Sequence, residues 1–316
     1  MRALNYREYG DLTRLSLGEL PEPKQSDGPL VAVEVAALNP KDALFRKGKF
    51  KLLSGRKFPK QCGLDFAGTV TRAGGGLREG DRVFGALNEW TFRRGTLAEF
   101  VAPRSDEVAL LPSGVDAAHA ASVALVGLTA LQALRDVARV QRGASVLING
   151  ASGGVGTVAI QLARLLGAEV TTISSAATTE LCRSLGATHT LDYAAVETQR
   201  RYDVLFDVFG NLKFEAERRR LNPKGVFIST VPSAGRLVRD VVTRFSPQQE
   251  RLVVVKPKRT DLDQLGAWLQ SGELRAVIDG RYALEDFAQA FTKLESKHTH
   301  GKLLISLSLR SGERAG

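Results

Sequence analysis

The pattern of apolar and polar positions changes character twice along the 316 residues. In the first third, short apolar runs alternate with turns. "LVAVEVAAL" (30–38), "DFAGTVTRAGGG" (65–76), "GDRVFGAL" (80–87) and "GTLAEFVA" (95–102) are separated by glycine and proline signals. This predicts short β-strands in a compact barrel or sandwich, with prolines such as those of "PEP" (21–23) at edges where a missing donor is tolerated. From about Asp116 the period lengthens. "DAAHAASVALVGLTALQALRDVARV" (116–140) reads as an alanine-rich helix capped by Asp116. Strands then alternate with helices: "SVLIN" (145–149), a helix from Gly153, "EVTTIS" (169–174), a helix over 179–185, "YDVLFDV" (202–208), a helix near Glu215, "GVFIST" (225–230), "RLVVV" (251–255) and "DLDQLGAWLQ" (261–270). Short apolar strands bounded by helices predict an α/β unit with a parallel sheet covered on both faces. In the helix after "SVLIN", Val155, Val158, Ala159, Leu162, Ala163 and Leu166 form the stripe that should meet the sheet. The last forty residues differ again: Leu284, Phe287, Ala288, Phe291 and Leu294 have helical spacing, and "GKLLISLSL" (301–309) reads as a closing strand.

Composition narrows the class. A chain of this length, 43% hydrophobic and 25% charged, is expected to hold two globular domains. No apolar run reads as a membrane span, and the N-terminus reads as a strand rather than a secretory leader, so the expectation is a cytoplasmic protein with no membrane partner. Cys62 and Cys182 lie far apart, the histidines are few (His119, His189, His298 and His300), and the alternating pair His298 and His300 lacks an acidic or cysteine neighbour, so neither a disulfide nor a metal site is expected. The net charge of +10 is spread along the chain, and "RRR" (218–220) next to Glu215 and Glu217 reads as a solvated helix face. With no nucleic-acid module in the sequence, the positive balance favours small phosphorylated ligands over nucleic acid.

The chemistry starts at "NGASGGVG". After a predicted strand and before a predicted helix stand Ala151, Ser152, Gly153, Gly154, Val155 and Gly156, the G-x-G-x-x-G turn with alanine in its first slot. Gly153 allows the backbone to approach a pyrophosphate, Gly156 allows close helix packing, and the helix N-terminus offers amides to phosphates. The next strand ends in Ser174 and Ser175, where an NAD site usually carries an acid. That neutral end favours NADPH over NADH, with Thr178, Arg183 and Tyr193 as candidate phosphate contacts. Phe209 and Thr230 follow later strands, at the sheet edge where dinucleotides lie.

The ordered series "AALNPKDALFRKGKF", "CGLDFAGTV", "REGDRVFG", "GTLAEFV", "LVGLTALQAL", "NGASGGVG", "RSLGATHTLDY", "YDVLFDVFG" and "HTHGKLLI" resembles the medium-chain dehydrogenase/reductase superfamily, and within it the zinc-independent quinone oxidoreductases and alkenal/enone reductases. The resemblance implies a Rossmann doubly wound parallel sheet over 116–275 and a GroES-like catalytic domain built from 1–115 and 276–316. The three positions that match the zinc ligands of the alcohol dehydrogenase branch are Asn39, Leu64 and Val126, so the resemblance implies a reductase without zinc.

By the same resemblance, NADPH delivers hydride to a quinone or to the C=C bond of an enone or alkenal. Asn39 is expected to donate to a substrate oxygen or to a ribose hydroxyl, and Asp42 to fix its loop. Lys41 is either solvated or set to stabilise an enolate. Asp65 reads as a structural loop contact. Thr129 matches a nicotinamide contact at a helix start, or is a hydroxyl bonded to its own helix. Lys302 is expected near the cofactor. The loops 50–60 and 88–94, the latter with Trp90, Phe92, Arg93 and Arg94, are the expected acceptor walls or else plain surface. Two other readings stay open: a dinucleotide-binding sensor with weak turnover, and an enoyl-thioester reductase. Relatives of this type are homodimers or monomers.

Overall fold

A computed structural model of the chain describes residues 1–192 and 200–307. It divides into two compact units, residues 1–125 with 256–272 and 276 onward, and residues 126–255 with 273–275.

In the first unit a seven-stranded sheet runs in the order Ile278–Ala283, Lys302–Ser306, Leu30–Ala37, Asp65–Arg72, Arg82–Ala86, Val108–Leu110, with Phe100–Val101 pairing off Leu30–Ala37. Both ends of the chain share this sheet, with Leu304 opposite Ala37 across an antiparallel pair. The alternating apolar positions read from the sequence explain why: Val31, Val33, Phe66, Val70 and Val83 meet Leu303, Ile305 and Phe291 in one core. A smaller sheet joins Ser16–Glu19, Arg2–Tyr6 and Lys60–Gln61.

Three expectations are corrected. The helix Arg259–Ser271, expected in the dinucleotide domain, belongs here. Arg259 Nε donates to the Val108 carbonyl at 3.0 Å and Gln270 Nε2 to the Ser113 carbonyl at 3.0 Å, so residues 256–272 go with the first unit while 273–275 return to the second. The C-terminal helix begins at Phe287, after a 3-10 turn over Leu284–Asp286, and the change of pitch turns Ala288 outward and buries Ala290 in its place. One helical stretch, Ala117–Val137, is long and apolar enough to cross a membrane, but 89% of its most apolar window is buried, which marks a core helix. Its alanines and glycine masked its apolarity in the sequence. Asp116 caps it as expected, accepting from the amides of Ala118 at 2.9 Å and His119 at 3.2 Å.

The second unit holds a six-stranded sheet in the order His189–Leu191, Glu169–Ile173, Ser145–Asn149, Tyr202–Asp207, Leu221–Ser229, Gln249–Leu252, parallel throughout. The chain starts in the middle and winds outward in both directions, so the strand order reverses beside Ser145–Asn149, where open α/β sheets bind ligands. Val158, Ala159, Leu162 and Ala163 of the helix Gly154–Leu165 are buried, while Val155 and Leu166 are half-buried at the ends of the stripe. The last strand starts two residues before the run "RLVVV" and carries a buried Glu250.

Candidate functional site

The glycine loop leaves the strand Ser145–Asn149 at its carboxyl end. Gly150 takes a left-handed φ of +79° and Gly153 is the N-cap of the helix Gly154–Leu165, with no side chain capping it. The first-turn amides therefore lie ready for an anion. The two key glycines have different tasks. A Cβ on Gly156 would lie 2.3 Å from the Gly150 carbonyl oxygen and 2.6 Å from Ala151, so only glycine lets the helix close on the strand. A Cβ on Gly153 would meet nothing nearer than 3.6 Å, leaving the space a pyrophosphate needs. Ala151 is buried, while Ser152 and Val155 are half-buried.

Beneath the loop is a polar network that the sequence reading missed. Asn149 Nδ2 donates to Asp207 Oδ1 at 2.8 Å and to Asn211 Oδ1 at 2.7 Å. Asp207 also accepts from the amides of Gly210 at 2.9 Å and Leu212 at 3.1 Å and pairs with Arg236 at 3.3 Å. Burial pushes the Asp207 carboxyl up, against these donors and the guanidinium. Asn149 and Asp207 stand opposite each other on neighbouring strands, so two polar residues ending predicted strands were the available signal. The network holds the turn that follows Asp207. Phe209 sits against Gly150, where a Cβ would lie 3.0 Å from the Phe209 amide nitrogen. Thr230 Oγ1 donates to the Val208 carbonyl at 3.0 Å.

At the end of Glu169–Ile173, Ser174 is buried and accepts from Cys182 Sγ at 3.6 Å. Ser175 Oγ lies 3.2 Å from Thr178 Oγ1, which donates to the Ser175 carbonyl at 3.0 Å. Two hydroxyls thus meet where an NAD site would hold an acid. Arg183 pairs with Glu180 at 2.9 Å and lines a shallow cleft with Thr171, His189 and Arg200. Tyr193 lies outside the described residues. Thr129 is buried near the end of the helix Ala117–Leu131, not at its start as expected.

In the first unit the helix Pro40–Arg46 starts at Asn39. Asp42, fully buried, accepts from the amides of Asn39 and Gly63, both at 2.8 Å. Burial pushes the Asp42 carboxyl up to about 6, against those two bonds and the charge of Lys302. The Asn39 amide is not free to meet a substrate, contrary to expectation. Its Nδ2 donates to Asp65 Oδ2 at 2.6 Å and the Ala37 carbonyl at 3.3 Å, and its Oδ1 accepts from Lys302 Nζ at 2.7 Å. The ammonium of Lys302 also reaches the Leu38 carbonyl at 2.8 Å and Asp65 Oδ2 at 3.2 Å. Its three donors are therefore occupied within this unit, where a cofactor contact was expected. Asp65 Oδ1 in turn accepts from the Leu125 amide at 2.5 Å.

Lys41 points away from this cluster. Its Nζ lies 4.0 Å from the centroid of the Trp90 ring and donates to the Glu89 carbonyl at 3.0 Å. Partial burial lowers its pKa to about 8, against the pull of Asp42 and Glu89. Of the two expected loop walls, the side chains divide. Phe92 is buried 4.4 Å from Phe45, ring to ring, with a left-handed φ of +56°. Arg94 is drawn in by Glu107 at 2.8 Å and Glu89 at 3.0 Å. Trp90 and Arg93 stay exposed. Lys60, buried, ties the two loops together by donating to the Ser54 carbonyl at 2.7 Å and the Thr91 carbonyl at 2.6 Å.

Residues 25–113 match the family described as alcohol dehydrogenase GroES-like domain, and residues 185–305 match the one described as zinc-binding dehydrogenase. The chain is 31% identical to a chloroplast envelope quinone oxidoreductase homolog of Arabidopsis thaliana, over 96% of this chain and 98% of that protein. It is 33% identical to an NADPH-dependent alkenal/one oxidoreductase of the same plant, over 96% of this chain and 79% of the other. The solved structure of the quinone oxidoreductase from Coxiella burnetii superposes with a TM-score of 0.90 at 28% identity, covering 98% and 99% of the two chains. The word zinc in one of these descriptions does not fit the donor set. Leu64 and Val126 are buried aliphatic side chains, and the Asn39 oxygen already holds an ammonium. Among the described residues, no three His, Cys, Asp or Glu gather to hold a metal.

Proposed function

The chain belongs to the medium-chain dehydrogenase/reductase superfamily, in its quinone oxidoreductase and enone reductase branch, and from that premise we propose an NADPH-dependent, zinc-independent reductase of quinones and of the C=C bond of α,β-unsaturated carbonyls. The observation that carries this reading is the pairing of an uncapped glycine-loop helix with a strand end bearing hydroxyls instead of an acid.

The loop from Ala151 to Gly156 would hold the pyrophosphate of the dinucleotide, and Ser175 and Thr178 would seat the 2′-phosphate, assisted by Arg183 and Tyr193. Phe209 borders the loop, Thr230 is a candidate contact beyond it, and Thr129 is the candidate nicotinamide contact. When bound, the reduced nicotinamide supplies a hydride.

The acceptor falls to the first unit. Lys41 keeps an ammonium hydrogen for the acceptor oxygen, since one goes to Glu89 and one faces Trp90. A cation there stabilises charge that gathers on that oxygen, the task a metal performs in other enzymes. With a pKa near 8 it can also release its proton to the oxygen near neutral pH. Asp42 and Lys302 hold Asn39 and the start of this helix in place, so they are positioning residues. The reaction is tested by mixing purified protein with NADPH or NADH and a panel of short enones, alkenals and quinones, with and without chelator. Oxidation of NADPH that survives chelation is expected. Strict NADH use, or a rate abolished by chelator, overturns the reading.

A further inference from the structure

Lys41, Lys60 and Lys302 each bring an ammonium group into the first unit. Two of them are closed off. Lys60 is buried on the carbonyls of Ser54 and Thr91, and Lys302 on Asn39, the Leu38 carbonyl and Asp65. Lys41 is different. It is half-buried, and its Nζ lies among three aromatic rings, 4.0 Å from the centroid of Trp90, 5.4 Å from that of Phe45 and 5.8 Å from that of Phe92. Among the described residues its one hydrogen-bond acceptor is the Glu89 carbonyl at 3.0 Å. Two carboxylates bear on it, Asp42 on its own helix and Glu89 on the facing loop. Both are taken by other donors: Asp42 by the amides of Asn39 and Gly63, Glu89 by Thr91 and Arg94.

An amine walled by rings and without an ion pair is a nucleophile. Burial outweighs the pull of Asp42 and Glu89 and lowers its pKa to about 8. At that pH about half of it is neutral, against about one in 250 for an ordinary lysine. A less basic nitrogen attacks more slowly, which leaves a net advantage of about tenfold. The half-open side of the cage gives a small electrophile its way in.

We propose that Lys41 condenses with aldehydes of the alkenal class to form a Schiff base inside the ring cage of Trp90, Phe45 and Phe92. The nitrogen lone pair bonds the aldehyde carbon, and the carbonyl oxygen leaves as water. Amine, aldehyde and one proton from solution thus give one iminium ion and one water, with no oxidant or reductant consumed. Addition of water reverses the step and frees the lysine. The cage suits the product as it suits the amine, because ring faces stabilise a cation that has no carboxylate partner. An aldehyde carbon, which bears a hydrogen, also fits a walled-in amine better than a ketone carbon does. In a conjugated aldehyde the cationic nitrogen draws electrons from the β-carbon, the atom reduced in the reaction proposed above. The choice of conjugated aldehydes rests on that reaction, whereas the condensation itself stands without it.

The test is borohydride trapping on the full chain without NADPH, read by peptide mass spectrometry. The probes are crotonaldehyde and butanal, the second of which has no C=C bond and reacts only by condensation. Each should leave one reduced adduct on Lys41, formed about tenfold faster than on other lysines at pH 8 and levelling off in rate above that pH. Lys41→Arg, shown to be folded by its melting curve, should lose this fast adduct. Labelling spread evenly over the exposed lysines overturns the proposal. A crotonaldehyde adduct without a butanal adduct also overturns it, in favour of conjugate addition to the C=C bond. Reduction of enones by NADPH with no adduct on Lys41 overturns this inference and leaves the reductase. An adduct on Lys41 with no reduction of any acceptor upholds the inference and overturns the reductase instead.

Discussion

Lys302 Nζ lies 2.7 Å from Asn39 Oδ1, joining a residue of the last described strand to the cap of the first α-helix. The same ammonium balances the fully buried Asp65. Removing one partner of a buried pair leaves an uncompensated charge, at about 3–5 kcal/mol. Lys302→Met should therefore lower the melting temperature sharply and reduce kcat. The double variant Lys302→Met, Asp65→Leu should regain part of the stability, because it removes the lone charge but also the acceptor of Asn39 Nδ2 and of the Leu125 amide, and should not regain kcat. Thermal unfolding and steady-state kinetics of both variants check this.

Lys41 sets a pH dependence. Its pKa, lowered to about 8, means that the ammonium is present below that pH and is lost above it. Turnover on enones should fall as pH rises through about 8, roughly tenfold per pH unit once the amine is neutral. Lys41→Arg keeps its charge and should abolish that limb, whereas Lys41→Met should lose about 10- to 100-fold below pH 8, a deficit that shrinks above it as the wild type loses its own ammonium. A pH–rate profile of the three proteins separates these outcomes.

Asp42 sets a pH dependence of stability. Its folded pKa of about 6 lies above its unfolded value of 3.8, so folding favours the protonated form. The gain is full below the unfolded value and is lost as pH rises through about 6. Measured against Asp42→Asn by urea titration, the wild type should gain relative stability as pH falls from 7 to 4.

The two glycines should separate folding from binding. Gly156→Ala places a methyl 2.3 Å from a carbonyl oxygen and should destabilise the second unit. Gly153→Ala meets no protein atom closer than 3.6 Å, so it should melt normally while NADPH binding weakens about tenfold or more. Melting curves beside NADPH fluorescence titrations distinguish the two.

Cofactor choice should be reversible at Ser175. Ser175→Glu restores an acid at the strand end, which repels a 2′-phosphate and accepts from a ribose hydroxyl. NADPH affinity is expected to fall about 10- to 100-fold while NADH affinity rises, read by titration with each cofactor.

Much of this architecture was legible because its signals are local. The glycine loop, the serines of the second strand and the Asp116 cap each lie within a few residues of the element they define. The alternation in 30–38 and 65–72 likewise announced strands that share one core. What escaped depends on contacts distant in sequence. Nothing near "HTHGKLLI" shows that Lys302 ends at Asn39, 263 residues away. Nothing near "DLDQLGAWLQ" shows that this helix follows Val108 and Ser113 rather than the parallel sheet. Nothing near Arg236 shows that it is held by Asp207 and Ser229, which end other strands. Ala288 and Ala290 exchanged places because a 3-10 turn preceded the helix, a change of pitch that apolar spacing does not encode.

The route of the chain also sets an order of assembly. Residues 126–255 form most of the second unit in one continuous stretch, whereas the first unit needs segments from both sides of it. During synthesis the dinucleotide-binding half can close while the acceptor half still waits for its last strand. Until Lys302 emerges, Asp65 has no cation to receive it and Asn39 nothing to hold its oxygen. Under the proposed function, a chain cut before that lysine would keep a place for the reductant and lack a finished place for the acceptor, so the means of storing electrons would form before the means of delivering them.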